Sequence, residues 1–435
     1  MRVSEPTGLL AALLLAASMG FYLEHVMIGH QTVEAAERGI PRGNLSDLYP
    51  RWLGARELLL RHRDPYSSEI TKEIQSGYYG RPLDPSLPND PKDQQGFAYP
   101  LYVVFLLAPT IRLPFSVVQI GFFWLLVAAT MATVFVWLRT FEWHASWATI
   151  LTAVVLTLGS FQVLQGLKLQ QLSLLVSALI AGSVALVVSG HLAAAGTLLA
   201  LATIKPQLVL PLLLWFWLWV ASDWPRRKSL AMAFGGVMAA LVAGAELVFP
   251  GWIAQFRHAL SAYREYNDGA WSVLQMLTSP HWGNVLAVLV LAASARLGWK
   301  LRGAAAGSPA FYRMTTLVLA ATVLVAPKTS PYNHILLLPA VLLVARSRGI
   351  VWLRGPVLHV SWIAATLILF WPWLAALLLT LLSWLRLTAL VEKFWIAPLY
   401  TTLAIPLAVC ALLALSLHLV GESSEEVKSA PASAR

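Results

Sequence analysis

The chain has 435 residues, of which 58% are hydrophobic and only 12% are charged, and its mean hydropathy is +0.67. Soluble domains carry about 25% charged residues, so this composition excludes an ordinary soluble fold. Apolar runs that could cross about 30 Å of hydrocarbon recur along the sequence, and the 19 tryptophans suit membrane interfaces. The composition predicts an all-α polytopic membrane protein with about ten to thirteen transmembrane helices.

The positive charge of the chain lies in short loops between the apolar runs. A net charge of +10 would suggest a nucleic-acid partner in a soluble protein. In a membrane protein Lys and Arg collect in cytoplasmic loops, which explains the charge without any nucleic acid. The loops that this rule assigns to the cytoplasm are residues 223–228, 296–313 and 346–354 and the loop at Arg139. The segments predicted to face outward are 165–171, 250–282 and 327–334. The single cysteine, Cys410, excludes a disulfide framework.

The N-terminal part of the chain combines one apolar run with a long polar segment. Gly8 to Tyr22 lacks a signal-peptide cleavage pattern, so we expect it to remain as the first span. Residues 29–96 are rich in proline turns and form the predicted extracytoplasmic loop. Within this loop, Leu48 to Leu60 has apolar residues at helical spacing, which predicts an amphipathic helix on the outer membrane surface.

Two apolar segments are too short or too irregular to be simple spans. Tyr99 to Ile111 is short and flanked by prolines, which predicts a re-entrant or surface-lying segment. The stretch from Leu192 to Val220 is broken at Lys205-Pro206. A polar break at membrane depth is tolerated only where it is buried in protein or lines a cavity, so this break marks a candidate site.

The C-terminal part of the chain allows two topologies. Trp371-Pro372-Trp373 either joins two short spans or kinks a single one, and the residues alone leave both possibilities open. Residues 1–420 are predicted to form one transmembrane domain. The tail at 421–435 is rich in Ser, Glu and Ala and is predicted to be disordered.

Two charged residues at membrane positions are candidates for function, because such charges are costly. Asp47 precedes the predicted amphipathic helix, where its carboxylate would either cap the helix N-terminus or act as a general base. Lys205 stands before a proline in a broken helix, where it would either bind a phosphate or serve a structural role. The residues alone leave both pairs of possibilities open.

Two further polar clusters lie in segments predicted to face outward. Lys328, Asn333 and His334 form either a polar loop or a second cationic face of the same cavity. Gly166 to Ser173 also carries Lys168, Gln170 and Gln171, and its glutamine side chains either bind sugar hydroxyls or join two helices. The sequence holds no cluster of carboxylates with metal-ligand spacing, so we expect neither a metal nor another cofactor.

Several separated motifs, taken in order, resemble glycosyltransferase family 87. Asp47, the amphipathic helix after it and Asp64-Pro65-Tyr66 resemble the opening pattern of the family. Phe97-Ala98-Tyr99-Pro100 resembles its aromatic and proline element. Ile204-Lys205-Pro206 resembles its lysine-bearing break, and Ser330 to His334 its serine, proline and histidine element. This family belongs to the type C membrane glycosyltransferases and is similar to polyprenol-phosphate-mannose-dependent α-mannosyltransferases.

The resemblance implies an inverting transferase whose site faces outward from a bacterial inner membrane. Its donor would be a polyprenyl-phosphate sugar, with mannose the expected sugar, and its acceptor a lipid or glycan. Asp47 would take the proton from the acceptor hydroxyl, while Lys205, His334 and Lys328 would hold the donor phosphate. The residues implied to bind substrate are Tyr49, Tyr66, Tyr99, Lys168, Gln171 and Asn333.

Two other functions are compatible with the same residues. A carrier or flippase for a lipid-linked glycan would use the same cations and cavity but would not need Asp47 as a base. It would also predict polar functional groups near the inner face, where the sequence has mostly positively charged anchors. A noncatalytic subunit of an envelope-assembly complex would tolerate replacement of Asp47.

Overall fold

The computed structural model describes residues 5–43, 46–266, 271–327, 330–346 and 356–415. Every regular element within these ranges is helical, so the predicted all-α polytopic architecture is confirmed. Serines begin several of the helices. Ser67, Ser160 and Ser308, for example, each accept a hydrogen bond from the backbone N–H three residues later.

Six helical segments are long and apolar enough to cross a membrane by themselves. The first is continuous from Glu5 to Glu37 and consists of α1 (Glu5–Phe21), a π-helical turn (Tyr22–Met27) and α2 (Ile28–Glu37). The next three are α6 (Phe115–Thr140), α12 (Trp224–Val248) and α15 (Pro280–Leu301). The last two are α18 (Pro356–Trp384) and the segment Thr388–Leu415, which begins with α19 (Thr388–Phe394).

Other apolar helices are shorter or bent. α7 (Trp147–Leu158) and α8 (Phe161–Lys168) form a pair bent by 58°. Shorter apolar helices are α9 (Ser173–Val188), α10 (Leu192–Ala202), α11 (Pro206–Ala221), α16 (Pro309–Val325) and a 3-10 turn (Pro331–Leu337) continued by α17 (Leu338–Arg346). By length and composition alone, the described residues contain six candidate spans, or seven if the bent pair is one span. The predicted number of ten to thirteen crossings stays a prediction, because α9, α10, α11 and α16 have 11 to 17 residues, at or below the lower limit of about 17 for a full crossing.

The polar segment after the first span contains two helices, α3 (Leu48–Arg61) and α4 (Ser68–Tyr79). A further short helix, α5 (Val103–Leu107), lies in the segment predicted to be re-entrant or surface-lying, and it is too short to cross a membrane. The first helix continues to Glu37, past the predicted start of the loop at Gly29, and the extracytoplasmic loop at 29–96 stays a prediction. Hydropathy falls before the helix ends, since a helix can extend beyond the lipid into water.

Helix α3 is amphipathic, as its sequence predicts, but its apolar face is buried in protein. Leu48, Trp52, Ala55 and Leu58 are all buried, and α3 packs against α4 and α5. At Gly54 a Cβ atom would collide with the ring of Phe97, so the helix lies directly on that side chain. The prediction that this face enters the outer membrane surface is wrong, because protein already covers it.

Helix α6 defines two ends of the molecule. Its 26 residues span about 39 Å at 1.5 Å per residue. At its first residue, Phe115 packs against Tyr49, with ring centroids 5.0 Å apart. At its last residue, the Thr140 carbonyl accepts a 2.6 Å hydrogen bond from the Tyr312 hydroxyl.

The loops that carry the predicted cytoplasmic charge come together in pairs. Arg227 donates to the carbonyl of Arg302 at 3.2 Å and lies over the ring of Trp219. Arg346 donates to the carbonyl of Phe141, at the end of α6. These contacts support the predicted grouping of the loops, while their assignment to the cytoplasm stays a prediction.

The remaining topological question concerns Pro372. Helix α18 continues through this proline without a break, so Trp371-Pro372-Trp373 lies within one helix.

The predicted disordered tail at 421–435 lies outside the described residues. The described residues of the predicted outward segment at 250–282 include α13 (Trp252–Tyr266) and the five-residue helix α14 (Val273–Leu277).

Candidate functional site

Asp47 occupies the position just before α3, but its carboxylate does not cap the helix. The backbone N–H of Asp47 donates to the carbonyl of Leu169 at 2.9 Å, which ties this residue to the end of α8. The carboxylate instead accepts a hydrogen bond from the side-chain amide of Gln171 and a longer one, 3.4 Å, from the Tyr78 hydroxyl. The capping interpretation is therefore wrong, because both carboxylate oxygens are directed to side chains of other segments.

A continuous hydrogen-bonded network extends from Asp47 to the far side of the site. The Gln171 amide that donates to Asp47 also accepts, through Oε1, a 2.8 Å hydrogen bond from Nζ of Lys205. The same Nζ donates to Oγ of Ser173 at 2.7 Å. Ser173 in turn donates to Oδ1 of Asn333 at 2.7 Å. Four separate segments of the chain thus meet in one network, which we call the Asp47–Asn333 network.

The break between α10 and α11 brings Lys205 into this network. Pro206 is the first residue of α11, and a proline disfavours helical backbone at the residue before it. Lys205 accordingly has φ −123° and ψ 78°, outside the helical region. Its side chain is only 5% exposed, and its ammonium lies 5.0 Å from the ring centroid of Tyr332. A buried cation surrounded by hydrogen-bond acceptors and an aromatic face is positioned to interact with a nearby negative charge.

The turn between α8 and α9 positions Gln171 next to Asp47. Gln170 adopts a left-handed backbone with φ 46°, which reverses the chain after α8. Its buried side chain accepts hydrogen bonds from Ser46 at 2.7 Å and from Gln119 of α6 at 3.3 Å. These bonds connect the turn to the residue before Asp47 and to the first part of α6. The backbone around Asp47 is therefore fixed from two directions.

Tyr78, on α4, is a site residue that the sequence did not predict. Burial, with the nearby Asp47 carboxylate adding to it, raises the pKa of the Tyr78 hydroxyl above its ordinary value. The hydroxyl therefore stays protonated and acts as a donor to the carboxylate. A Cβ atom at Gly43 would collide with the Tyr78 ring, so the chain before Asp47 packs directly on this tyrosine. No spacing rule links Tyr78 to Asp47, because their contact depends on the packing of α4.

Arg51 is a second site residue that the sequence did not predict. It follows Asp47 by four residues on α3, so the two side chains lie on the same face of the helix. Its guanidinium carbon lies 4.1 Å from the ring centroid of Tyr99. Arg51 is also close enough to Asp47, Tyr332 and Tyr263 to interact with them electrostatically. The four-residue spacing from Asp47 was the signal that could have identified it.

Four of the predicted substrate-binding residues lie outside the Asp47–Asn333 network, and one of them is Tyr99, which stacks on Arg51. Tyr49 packs between Trp52 and Phe115, and its hydroxyl lies against Gly77. Tyr66 donates a 2.8 Å hydrogen bond to the carbonyl of Tyr99. Lys168 forms an ion pair with Glu24 of the first span at 2.6 Å. Their roles in substrate binding stay predictions.

His334 lies in the 3-10 turn that also carries Asn333. It is 6% exposed, and neither of its ring nitrogens has a hydrogen-bond partner within the part of the chain that the structure describes. A buried imidazole in this condition is unusual, since buried polar groups are nearly always paired. The predicted phosphate-binding residue Lys328 lies outside the described residues.

The site therefore combines one carboxylate, one buried ammonium and one guanidinium within a cluster of tyrosines and amides. This set can accept a proton at Asp47 and can stabilise negative charge through Lys205 and Arg51. Within the described ranges, no three His, Cys, Asp or Glu side chains come together in a way that could hold a metal ion.

Comparison with known proteins gives one match. The model of glycosyltransferase family 87 matches residues 97–327, which is more than half of the chain. The matched range contains Gln171 and Lys205, while Asp47 precedes it and Asn333 follows it. No curated protein and no solved structure matches the chain.

Proposed function

The chain belongs to glycosyltransferase family 87, and we propose that it transfers a sugar from a polyprenyl-phosphate donor to a lipid or glycan acceptor. Family membership makes the chain a membrane glycosyltransferase, and its apolar helices make it a multi-pass protein. Mannose is the proposed sugar, and the outer face of a bacterial inner membrane is the proposed location of the reaction.

The observation that carries this proposal is the connection of the Asp47 carboxylate to the buried Lys205 through Gln171. In the proposed reaction, Asp47 takes the proton of the acceptor hydroxyl while the acceptor oxygen bonds to the anomeric carbon. The bond from that carbon to the phosphate oxygen breaks, and its electron pair leaves with the polyprenyl phosphate. A single displacement inverts the anomeric configuration, so a β-linked donor gives an α-glycoside.

Gln171 gives this arrangement a defined direction. Its carbonyl oxygen accepts from Lys205, so its NH₂ group is turned toward Asp47. The Asp47 carboxylate can only accept hydrogen bonds, and the Gln171 NH₂ group that donates to it is fixed in orientation by Lys205. Orientation of the base before the substrate binds lowers the reorganisation needed during proton transfer.

The departing phosphate needs positive charge and hydrogen-bond donors nearby. We assign this role to Lys205 and His334, together with Lys328 from the predicted outward segment. The buried ammonium of Lys205 interacts strongly with a negative charge, since little water lies around it to screen the field. The unpaired nitrogens of His334 supply a hydrogen-bond donor in the neutral form of the ring. Asn333 and Gln171 offer amides that bind sugar hydroxyls, and Tyr99 offers an aromatic face.

The experiment that tests this function is sugar transfer in proteoliposomes. Radiolabelled polyprenyl-phosphate mannose is supplied to the wild-type protein and to Asp47→Asn, and labelled lipid products are measured. Asp223→Asn is the matched control, because Asp223 lies at the other end of the molecule and pairs only weakly with Arg226, at 3.5 Å. Product from the wild type and from Asp223→Asn, with a loss of about 100-fold or more in Asp47→Asn, is expected for a general base.

Equal product from Asp47→Asn and the wild type would remove Asp47 from the chemistry. Absence of product from the wild type with mannose, followed by product with another sugar from a donor panel, would correct the sugar alone. Absence of product with every donor, combined with movement of the labelled lipid between leaflets, would support the carrier alternative.

A further inference from the structure

The guanidinium of Arg51 is a charged group that the Asp47–Asn333 network does not use. Its side chain is half-buried, and its Nε atom is fully buried. Within the described part of the chain, Arg51 makes no side-chain hydrogen bond and no ion pair. It lies near Asp47 but does not form a salt bridge with it among the described residues. The five N–H donors of the Arg51 guanidinium are thus available to form hydrogen bonds with another group.

The position of Arg51 is held by aromatic residues rather than by acceptors. Its guanidinium lies over the Tyr99 ring, a contact that fixes the plane of the fork without occupying its donors. The Tyr66 hydroxyl donates to the Tyr99 carbonyl, and the Tyr66 ring packs edge-on against Phe97 at 5.2 Å. Arg51 is therefore oriented in advance, while its hydrogen-bonding capacity is retained.

Lys205 differs from Arg51 in this respect. Its ammonium already donates to Gln171 and Ser173, at 2.8 and 2.7 Å. Direct contact between Lys205 and a ligand would require these bonds to be exchanged, which would loosen the amide that faces Asp47. Arg51 can bind a ligand without disturbing any hydrogen bond in the described residues.

We propose that Arg51 binds the phosphate group of a lipid substrate through its guanidinium. The planar fork of arginine matches two oxygens of a phosphate, and stacking on a ring is a common way to hold that fork. The phosphate belongs either to a prenyl-phosphate donor or to an anionic phospholipid acceptor, and the chemistry is the same for both. The inference rests on the proposed function in that a substrate carrying a phosphate must enter this site.

The test compares phosphate binding with binding of the matched uncharged lipid. Native mass spectrometry of the detergent-solubilised protein measures the binding of two lipid pairs. Farnesyl phosphate is compared with farnesol, and phosphatidylglycerol is compared with diacylglycerol. The variants are Arg51→Gln, Arg51→Lys and, as matched control, Arg56→Gln. Arg56 is on the same helix and lies over the Trp52 ring at 5.2 Å, so it reproduces the stacking away from Asp47.

We expect the wild type and Arg56→Gln to prefer a phosphate lipid to its uncharged partner. Arg51→Gln should bind that phosphate lipid about 10- to 100-fold more weakly, which is the loss expected when a hydrogen bond to a charged group is removed. Its affinity for the uncharged lipid should not change. Arg51→Lys should lose less, because it keeps the charge but not the fork. The arm that shows the loss identifies the source of the phosphate as donor or phospholipid.

An unchanged preference in both Arg51 variants would overturn the proposal, as would a wild-type protein that does not distinguish phosphate from alcohol. Thermal unfolding of each variant confirms that the protein is folded when binding is measured. Dependence of phosphate binding on Arg51 without any sugar transfer would refute the proposed function and leave the inference in place. Sugar transfer that does not depend on Arg51 would refute the inference about Arg51 and leave the proposed function in place.

Discussion

Replacing Ser173 with alanine tests whether the Asp47–Asn333 network holds the site together. Ser173 is fully buried, and its hydroxyl accepts from Lys205 and donates to Asn333, both at 2.7 Å. Alanine removes both bonds and leaves a buried ammonium with one acceptor fewer and a buried amide oxygen without its donor. Ser177 is the matched control, because it is one turn further along α9, is 2% exposed and makes no side-chain hydrogen bond among the described residues.

The expected loss follows from these two bonds. A hydrogen bond to a charged group contributes about 1.5–3 kcal/mol in proteins, whereas hydrogen bonds between membrane helices average about 0.6 kcal/mol. We therefore expect Ser173→Ala to lower the free energy of unfolding by about 1–3 kcal/mol. Ser177→Ala should change it by less than about 0.5 kcal/mol, since it removes no hydrogen bond. The rate of sugar transfer should fall about tenfold or more for Ser173→Ala, because Lys205 loses one of its two acceptors and then holds Gln171 less firmly against Asp47.

A double-mutant cycle with Asn333→Ala isolates the contact itself. Unfolding is followed by the fluorescence of the 19 tryptophans, and transfer is measured on the same preparations. Directly bonded residues should show a coupling of about 0.5–3 kcal/mol, so the double variant should be less impaired than the sum of the two single variants. Additive effects, or equal losses in Ser173→Ala and Ser177→Ala, would refute the reasoning and reduce the network to coincidental proximity.

Two further predictions concern stability, measured by thermal unfolding. Glu57→Gln should destabilise the protein by about 1–3 kcal/mol, because this carboxylate is 3% exposed and accepts hydrogen bonds from two arginines that keep contact with water. Glu34→Gln, in an exposed pair, should cost less than about 1 kcal/mol, and equal effects of the two substitutions would contradict the burial argument. Gly196→Ala should destabilise the protein by about 1–3 kcal/mol, because its Cβ would collide with the Leu230 carbonyl. The Cβ of Gly235→Ala would meet no atom within 4 Å, so this substitution should stabilise the protein by up to about 1 kcal/mol. A change of the same sign in both variants would contradict the close approach of α10 and α12.

Local chemistry explains which parts of the fold were predictable. The helix break at Lys205-Pro206 follows from proline geometry alone, and the structure has it where the sequence predicts it. The end of the first helix was not predictable from hydropathy, because α2 continues through Glu34 and Glu37 into the polar segment. Hydropathy reports contact with lipid, whereas a helix ends where its backbone hydrogen bonds end. The lipid-facing prediction for α3 failed for a related reason, since an amphipathic pattern does not distinguish lipid from protein as the apolar partner.

The site was predictable only in part. Polar residues in apolar surroundings identified Asp47, Gln171, Lys205 and Asn333, and the structure brings all four into one network. Their partners could not be deduced, because they lie 32 to 160 residues apart and depend on tertiary packing. Tyr78 was missed because an exposed-looking tyrosine in a polar segment carries no signal.

The buried charge of Lys205 explains why the site and the fold depend on each other. Burial of an ammonium is costly, and here the cost is offset by Gln171 and Ser173, from the turn after α8 and the start of α9, and by the Tyr332 ring of the 3-10 turn. The offset is complete only when the turn after α8, the break before α11 and the 3-10 turn at Asn333 are all in place. A change in any one of these segments should therefore impair both stability and transfer. It follows that Asp47, which lies at the far end of the same network, receives its orientation from the packing of the whole bundle rather than from its own helix.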